Sequence, residues 1–320
     1  MAQYDRIYKL MIGVQGDKDG VLIEGKPFSD GLNVSFSIGK DLSQETNKAT
    51  ITIYNLSEAT AKKIERDDAI VEFLVGYSED NGLKRIFLGY ITQVKTSWKS
   101  GERITEISAS DGQIAIRDCI VALSYYSNVS RKKVIDDVAK KMGIDVFYAQ
   151  DCKFTSFANG FSFVGPGKKC LDKACDGSDL EWSIQNNILQ ILTKGGNKQL
   201  KAIKLTPETG LIGSVEYITK ASFLVKKENE GDQTGKPIYS RKNRKQGHKL
   251  TCLLQPTIAP GDIIYIEARG VKGVFMCAKL THNGEYQGQN WYTEMEVYAL
   301  DEEKQETKQE NTQDSKQESK

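Results

Sequence analysis

Apolar and polar positions alternate through most of the first 118 residues. In KATITIY, Ala49, Ile51 and Ile53 take one face and Thr50 and Thr52 the other, the period-two pattern of a half-buried strand. NLSEATAKKIER follows, with Ser57 placed to cap one or two helical turns. AIVEFLVGY, RIFLGYITQVKTSW and RITEISASDG then read as strands separated by SEDNG and KSGE, which carry turn chemistry. Short strands at this spacing predict an antiparallel barrel or sandwich over residues 1–118.

The period changes over residues 119–200. SRKKVIDDVAKKMGI sets Val134, Ile135, Val138 and Met142 at helical spacing, with Ser130 as cap and Gly143 as terminator. KKCLDKACDG predicts a second, shorter helix. DLEWSIQNNILQILTK predicts a hairpin turning at Asn186 and Asn187, residues that tolerate positive φ. This is a small α+β module. From residue 201 strands return in LTCLLQP, GDIIYIEA, GVFMCAKLTH and NWYTEMEVYAL. The polar stretch at about 226–249 lacks apolar periodicity and predicts a long mobile loop, and the low-complexity residues 301–320 predict disorder.

An internal echo links the two β regions. LKRIFLGYITQVKTSWKSGERITEISAS and VKGVFMCAKLTHNGEYQGQNWYTEMEVY align without a gap, so that Phe87 meets Phe275, Thr105-Glu106 meets Thr293-Glu294, and the turn at Ser100-Gly101 meets Gly288-Gln289. The order of strands before each segment also matches. The chain therefore predicts a mainly β fold with two copies of one antiparallel β-barrel unit flanking the α+β module.

Composition narrows the chemistry. The 320 residues carry 44 basic and 43 acidic side chains, so no global field recruits nucleic acid or an anionic membrane. No apolar run reaches a membrane span, and MAQYDRIYKLMIG lacks the pattern of a secretory signal, which predicts synthesis in the cytoplasm. The six cysteines are dispersed, and Cys170 and Cys175, five apart on a predicted helix, diverge too far to chelate a metal.

VFMCAKLTHNGE gathers a cysteine, a histidine and a glutamate, but strand alternation sends Cys277 and His282 to opposite faces, and Asn283-Gly284 reads as a turn before Glu285. FVGPGKKC has two glycines before a helix, yet Cys170 stands where a dinucleotide fingerprint needs glycine. Asp67-Asp68, Asp136-Asp137 and the Glu294/Glu296 pair read as solvated faces or helix-end charges. Trp98, Trp182 and Trp291 read as core anchors, or as the platforms of a glycan binder. The basic run holding Arg241, Lys242, Arg244 and Lys245 offers contacts to an acidic partner or to DNA. No catalytic residue, cofactor or metal site is predicted.

The ordered pieces NKATITIYNLSEATAKKI, IVEFLVGY, IFLGYITQV, ISASDG, SRKKVIDDVAKKMGI, FSFVGPGKKCLDKACDGSDLEWSIQNNILQIL, LTPETGLIGSVEYI, LLQPTIAPGDIIYIEA and LTHNGEYQGQNWYTEMEV resemble, over about residues 5–300, the tail baseplate hub proteins of bacteriophages and contractile injection systems, the late control gene D-like group. The insertion at about 226–249 departs from that pattern. The resemblance implies two tube-like barrels per chain (1–118 and 201–300) around the module at 119–200. It also implies a homotrimer joining a hexameric tail tube to a trimeric central spike, with baseplate wedge proteins as further partners, DNA passing through its lumen, and a place in the virion. Tail-tip proteins also include cell-wall hydrolases, which stands as the alternative alongside receptor or carbohydrate binding.

Overall fold

The computed structural model describes residues 5–17, 19–27, 31–79, 82–198, 202–219, 224–231, 237–241 and 246–300. The first part of the chain forms β1 (Arg6–Gly13), β2 (Val21–Gly25), β3 (Val34–Asp41), β4 (Lys48–Tyr54), α1 (Glu58–Ile64), β5 (Ile70–Tyr77), β6 (Gly82–Lys99), β7 (Glu102–Ser110) and α2 (Gln113–Asp118). The middle part forms β8 (Ile120–Tyr125), β9 (Val129–Ser130), α3 (Arg131–Met142), β10 (Asp145–Tyr148), β11 (Ser156–Phe157), β12 (Phe161–Pro166), α4 (Gly167–Cys175), β13 (Leu180–Gln185) and β14 (Ile188–Thr193). The last part forms β15 (Ile203–Leu205), β16 (Leu211–Thr219), β17 (Leu224–Gly231), β18 (Pro237–Arg241), β19 (Gln246–Leu253), β20 (Ile263–Ala268), β21 (Val271–Glu285) and β22 (Trp291–Ala299). The fold is mainly β with a small α-containing module, as the patterning predicts.

Local chemistry explains the element ends. The Ser57 hydroxyl accepts from the Thr60 amide and starts α1, and Ser130 does the same for α3 through Lys132. Gly143, at φ 70°, closes α3 in the left-handed conformation. Asn186 and Asn187, at φ 52° and 62°, make the predicted two-residue hairpin between β13 and β14.

Among the described residues one 13-stranded sheet dominates, in the order β16-β19-β22-β21-β3-β4-β7-β6-β5-β1-β2, with β20 also paired to β21 and β15 paired to β20. Within it the duplication is explicit. The run β3-β4-β7-β6-β5 and the run β16-β19-β22-β21-β20 have the same connectivity and the same neighbours. The pairing registers set the equivalences: Thr105 opposes Thr96 in the first hairpin, and Thr293 opposes His282 in the second. Both hairpins carry a bulge in their first strand, at Thr92 and at Ala278, and these are equivalent positions.

The gapless alignment needs correction in one respect. β7 and β22 match as aligned, but His282 matches Thr96, and the equivalent of Phe275 is Gly89 rather than Phe87. The second hairpin has a turn two residues longer, and a sequence comparison without gaps absorbs that difference in the wrong strand.

Three apolar cores lie along the described residues. Tyr8, Leu10, Ile38, Ile51, Ile53, Phe73 and Phe87 belong to the first, joined by Leu254 and Trp291 from the last part. Val134, Ile135, Leu171, Trp182 and Ile191 belong to the second, and Leu205, Cys252, Ile264, Cys277 and Val297 to the third. The two β regions are also joined by backbone, because β21 pairs antiparallel with β3 from Lys279↔Asp41 to Glu285↔Ser35.

Within the predicted loop at 226–249, the described residues are strand and not irregular loop, and residues 232–236 lie outside them. Leu224–Gly231 and Pro237–Arg241 are strands paired as a hairpin, from Leu224↔Arg241 to Gly231↔Pro237, and residues from Gln246 onward belong to β19. A two-stranded ladder is held by backbone hydrogen bonds and needs no apolar alternation, so its strands leave no period-two pattern in the sequence. Residues 242–245 and 301–320 lie outside the described residues.

Candidate functional site

The structure reverses the predicted placement of His282 and Cys277. The bulge at Ala278 shifts the side-chain parity of β21, so Cys277, opposite Val297, and His282, opposite Thr293, share the buried face. They do not form a nucleophile and base. The Cys277 thiol points to the Lys279 carbonyl at 3.7 Å, while His282 Nδ1 shares a 2.9 Å hydrogen bond with Thr293 Oγ1. His282 Nε2 is buried without a hydrogen-bond partner among the described residues. Burial, assisted by the charge of Lys40, pushes the imidazole down to about 3, and burial drives the Cys277 thiol far upward. Both groups are held in their neutral forms. Asn283-Gly284 is not a turn either, since β21 continues to Glu285 with β3 as its partner.

The other sequence candidates separate in space. Glu294 and Glu296 share the solvated face of β22, beside Lys249, whose Nζ is 4.0 Å from Glu294. Asp136 and Asp137 accept hydrogen bonds from Tyr148 and Tyr125 and pair with Lys132 and Lys133 one turn earlier. Trp182 is buried with its indole N–H on Asp172 at 3.0 Å, Trp291 is buried under Arg6, and Trp98 stands exposed with the Arg103 guanidinium 5.2 Å from its ring. Cys170 and Cys175 are buried in the middle core, and burial pushes both thiols up, to about 11 and about 12. Arg241 ends β18, and Lys242, Arg244 and Lys245 lie outside the described residues.

Two arrangements emerge that no motif announced. The first is a buried polar joint that fixes the middle module to the β regions. Asn47 and Asp111 are its centre: Asp111 accepts from the Asn47 amide and side chain, both at 2.8 Å, and from the Asn186 amide at 3.0 Å. Asn47 Nδ2 also reaches the Ile184 carbonyl at 2.9 Å, and the Gly112 amide donates to Asn187 Oδ1 at 2.8 Å. Lys40 Nζ donates to Asn186 Oδ1 at 3.1 Å. Burial lowers the pKa of Lys40 and raises that of Asp111; each opposes the other's shift through its charge, and the N–H donors also favour the Asp111 carboxylate. On the far side Lys198 pairs with Asp262 at 3.1 Å, which ties the module to the last part of the chain. The Asn186-Asn187 turn thus has a docking role beyond reversing the chain.

The second is a polar face shared by seven adjacent strands. One side of β19, β22, β21, β3, β4 and β7 is buried, and the other side of these strands and of β6 carries Thr251, Glu294, Thr281, Ser37, Thr50, Ser108 and Lys95 on one face, at the positions that the pairing registers place together. Its charged members are Lys48, Lys95, Lys99, Lys249 and Lys279 against Asp41, Glu102, Glu106, Glu285, Glu294 and Glu296. The wall is hydroxyl-rich and nearly balanced in charge, and it crosses the β21–β3 seam without interruption. Sequence alternation gives each strand its polar side, but only the strand order assembles them into one surface.

No protein-family model and no curated protein matches the chain. Solved structures do. The 43 kDa tail protein of prophage MuSo2 from Shewanella oneidensis has a TM-score of 0.61 at 11% identity, over 90% of this chain and 96% of that one. A tail protein from Neisseria meningitidis MC58 gives 0.61 at 10% identity, over 91% and 96%. An E. coli component of the type VI secretion system, described as structurally similar to the T4 bacteriophage tail proteins gp27 and gp5, gives 0.53 at 9% identity, over 90% and 76%. The chain has the fold of these tail proteins.

Proposed function

We propose that this chain is the structural hub of a phage-type tail baseplate, a non-enzymatic homotrimer that joins a hexameric tail tube to a threefold spike. The reading divides it at 1–118, 119–200 and 201–300, with a tube-like barrel on either side of the module. One observation carries it: two equivalent five-strand runs lie in a single sheet, and a single polar face runs across both. Three such chains would present six equivalent units, the number needed to match a hexameric ring with a threefold partner.

The composition of the polar face supports a lumen for DNA. Phosphate binding strengthens with every Lys or Arg that displaces counterions. A wall in which lysines are interspersed with carboxylates and hydroxyls lets a polyanion pass without holding it. Wedge proteins would meet the outside of the ring, and Arg241, Lys242, Arg244 and Lys245 are proposed as contacts with an acidic neighbour or the DNA path. The particle is the proposed location.

Native mass spectrometry of the full chain, alone and with its tube and spike partners, tests the reading. A trimer is expected in at least one of these mixtures. A strict monomer in all of them refutes it.

A further inference from the structure

The duplication has a consequence for how one copy meets the next. Within the chain, the first hairpin strand of the second unit, β21, lends its outer edge at Lys279–Glu285 to β3, the first strand of the first unit. The equivalent of that edge in the first unit is Gln93–Lys99 of β6, as the matched bulges and the Thr96/His282 correspondence require. The equivalent of β3 in the second unit is β16, because both lie outside the strand that pairs with the second hairpin strand, β4 in one unit and β19 in the other. Both edges are open: β5 covers β6 only as far as Tyr90, and β16 is the last strand of the sheet among the described residues.

Exposure supports the same conclusion. In the closed joint Leu280, His282 and Gly284 are buried against Ile38 and Phe36. Their equivalents on β6 include Trp98, which is 69% exposed, and the equivalent of Ile38 on β16 is Tyr217, which is 59% exposed. Two of the large aromatic side chains left in water thus occupy the faces that the closed joint buries. Charge is complementary as well, since Lys95 and Lys99 line one edge and Glu216 the other.

We propose that these two edges are the open halves of a second joint, closed by another copy of this chain: β6 at Gln93–Lys99 pairs antiparallel with β16 of the next copy. Copying the internal register places Lys95 opposite Ile218, Thr96 opposite Tyr217 and Ser97 opposite Glu216. Trp98 then meets the bulge that β16 carries between Ile212 and Glu216. Each chain supplies one edge of each kind, so the contact is head-to-tail and generates a ring when its rotation closes. The inference rests on the hub reading and names the residues that would build the ring.

Photo-crosslinking tests it on the full chain. Trp98→p-benzoylphenylalanine is prepared in isotopically heavy and light forms, mixed, irradiated and digested. Heavy-light links from position 98 to a peptide within Leu211–Thr219 are expected. Trp98→Ala and Tyr217→Ala should each weaken self-association about 30-fold, as loss of a central interface aromatic does, with circular dichroism unchanged. Oligomers whose links fall outside β16 overturn the joint and leave the hub reading standing. A chain that stays monomeric at its highest soluble concentration overturns the joint, and the mixtures with tube and spike then decide the hub reading separately.

Discussion

Lowering the pH should destabilise this protein through His282, and the size of the effect follows from the structure. The imidazole is buried, its Nε2 has no hydrogen-bond partner among the described residues, and Lys40 adds unfavourable charge, so its pKa falls from 6.5 to about 3. In the unfolded chain the ring titrates normally. Between those two values the unfolded state binds a proton that the folded state refuses, so the folded state loses stability as pH falls from 6.5 toward 3. Each pH unit is worth about 1.4 kcal/mol, so this one residue should remove about 2 kcal/mol between neutrality and pH 5. Urea unfolding at pH 7.5 and pH 5.0 measures the loss, and His282→Gln, which can still hydrogen-bond Thr293 but cannot titrate, isolates the histidine's share. His282→Leu serves as a second non-titrating variant if the glutamine fails to fold. The carboxylates elsewhere contribute equally to wild type and variant and cancel. A variant that loses as much stability between the two pH values as the wild type would refute the reasoning.

Removing the Asp111 carboxylate with Asp111→Ala strands the Asn47 and Asn186 donors in a buried joint, and unfolding by urea should show a loss of about 2–4 kcal/mol. Gly112→Ala, at φ 60° with a Cβ that would lie 2.7 Å from Ile184, should cost about 1–3 kcal/mol by the same assay, whereas Gly143→Ala, with open space around it, should cost less. Because burial raises Cys152, Cys170, Cys175 and Cys252 to about 11 or 12, these thiols should react slowly with a thiol reagent at pH 7.5 until the chain is unfolded; rapid native labelling, located by peptide mapping, would contradict their placement. Replacing Glu106 and Glu296 with lysine makes the polar face net positive, and the assembled protein should then retain DNA on a gel at low salt and release it as salt rises; retention by the wild type under the same conditions would count against a passive wall.

The sequence by itself determined what depends on neighbours along the chain. Alternation in KATITIY and IVEFLVGY made strands, helical spacing behind Ser130 made α3, and two asparagines tolerant of positive φ made the hairpin at Asn186-Asn187. Those signals are local because they come from backbone dihedrals and side-chain direction, which a few residues specify. The duplication was legible too, although its alignment was not, since a turn two residues longer hides within a gapless comparison. What only the tertiary structure decided involves strands far apart in sequence. A one-residue bulge at Ala278 turned His282 to the same face as Cys277, and no residue type announces where a ladder will slip. The hairpin at Leu224–Arg241 is held by backbone bonds that leave no apolar pattern. Asn47, Asp111, Asn186 and Asn187 converge from different segments, so their joint exists only after β4, β7 and β13 are in place. The polar face follows the same logic: alternation gave every strand one wet side, but the order β19-β22-β21-β3-β4-β7-β6 set those sides next to one another. That order reflects non-local backbone pairing, which a strand's own residues permit without choosing the partner.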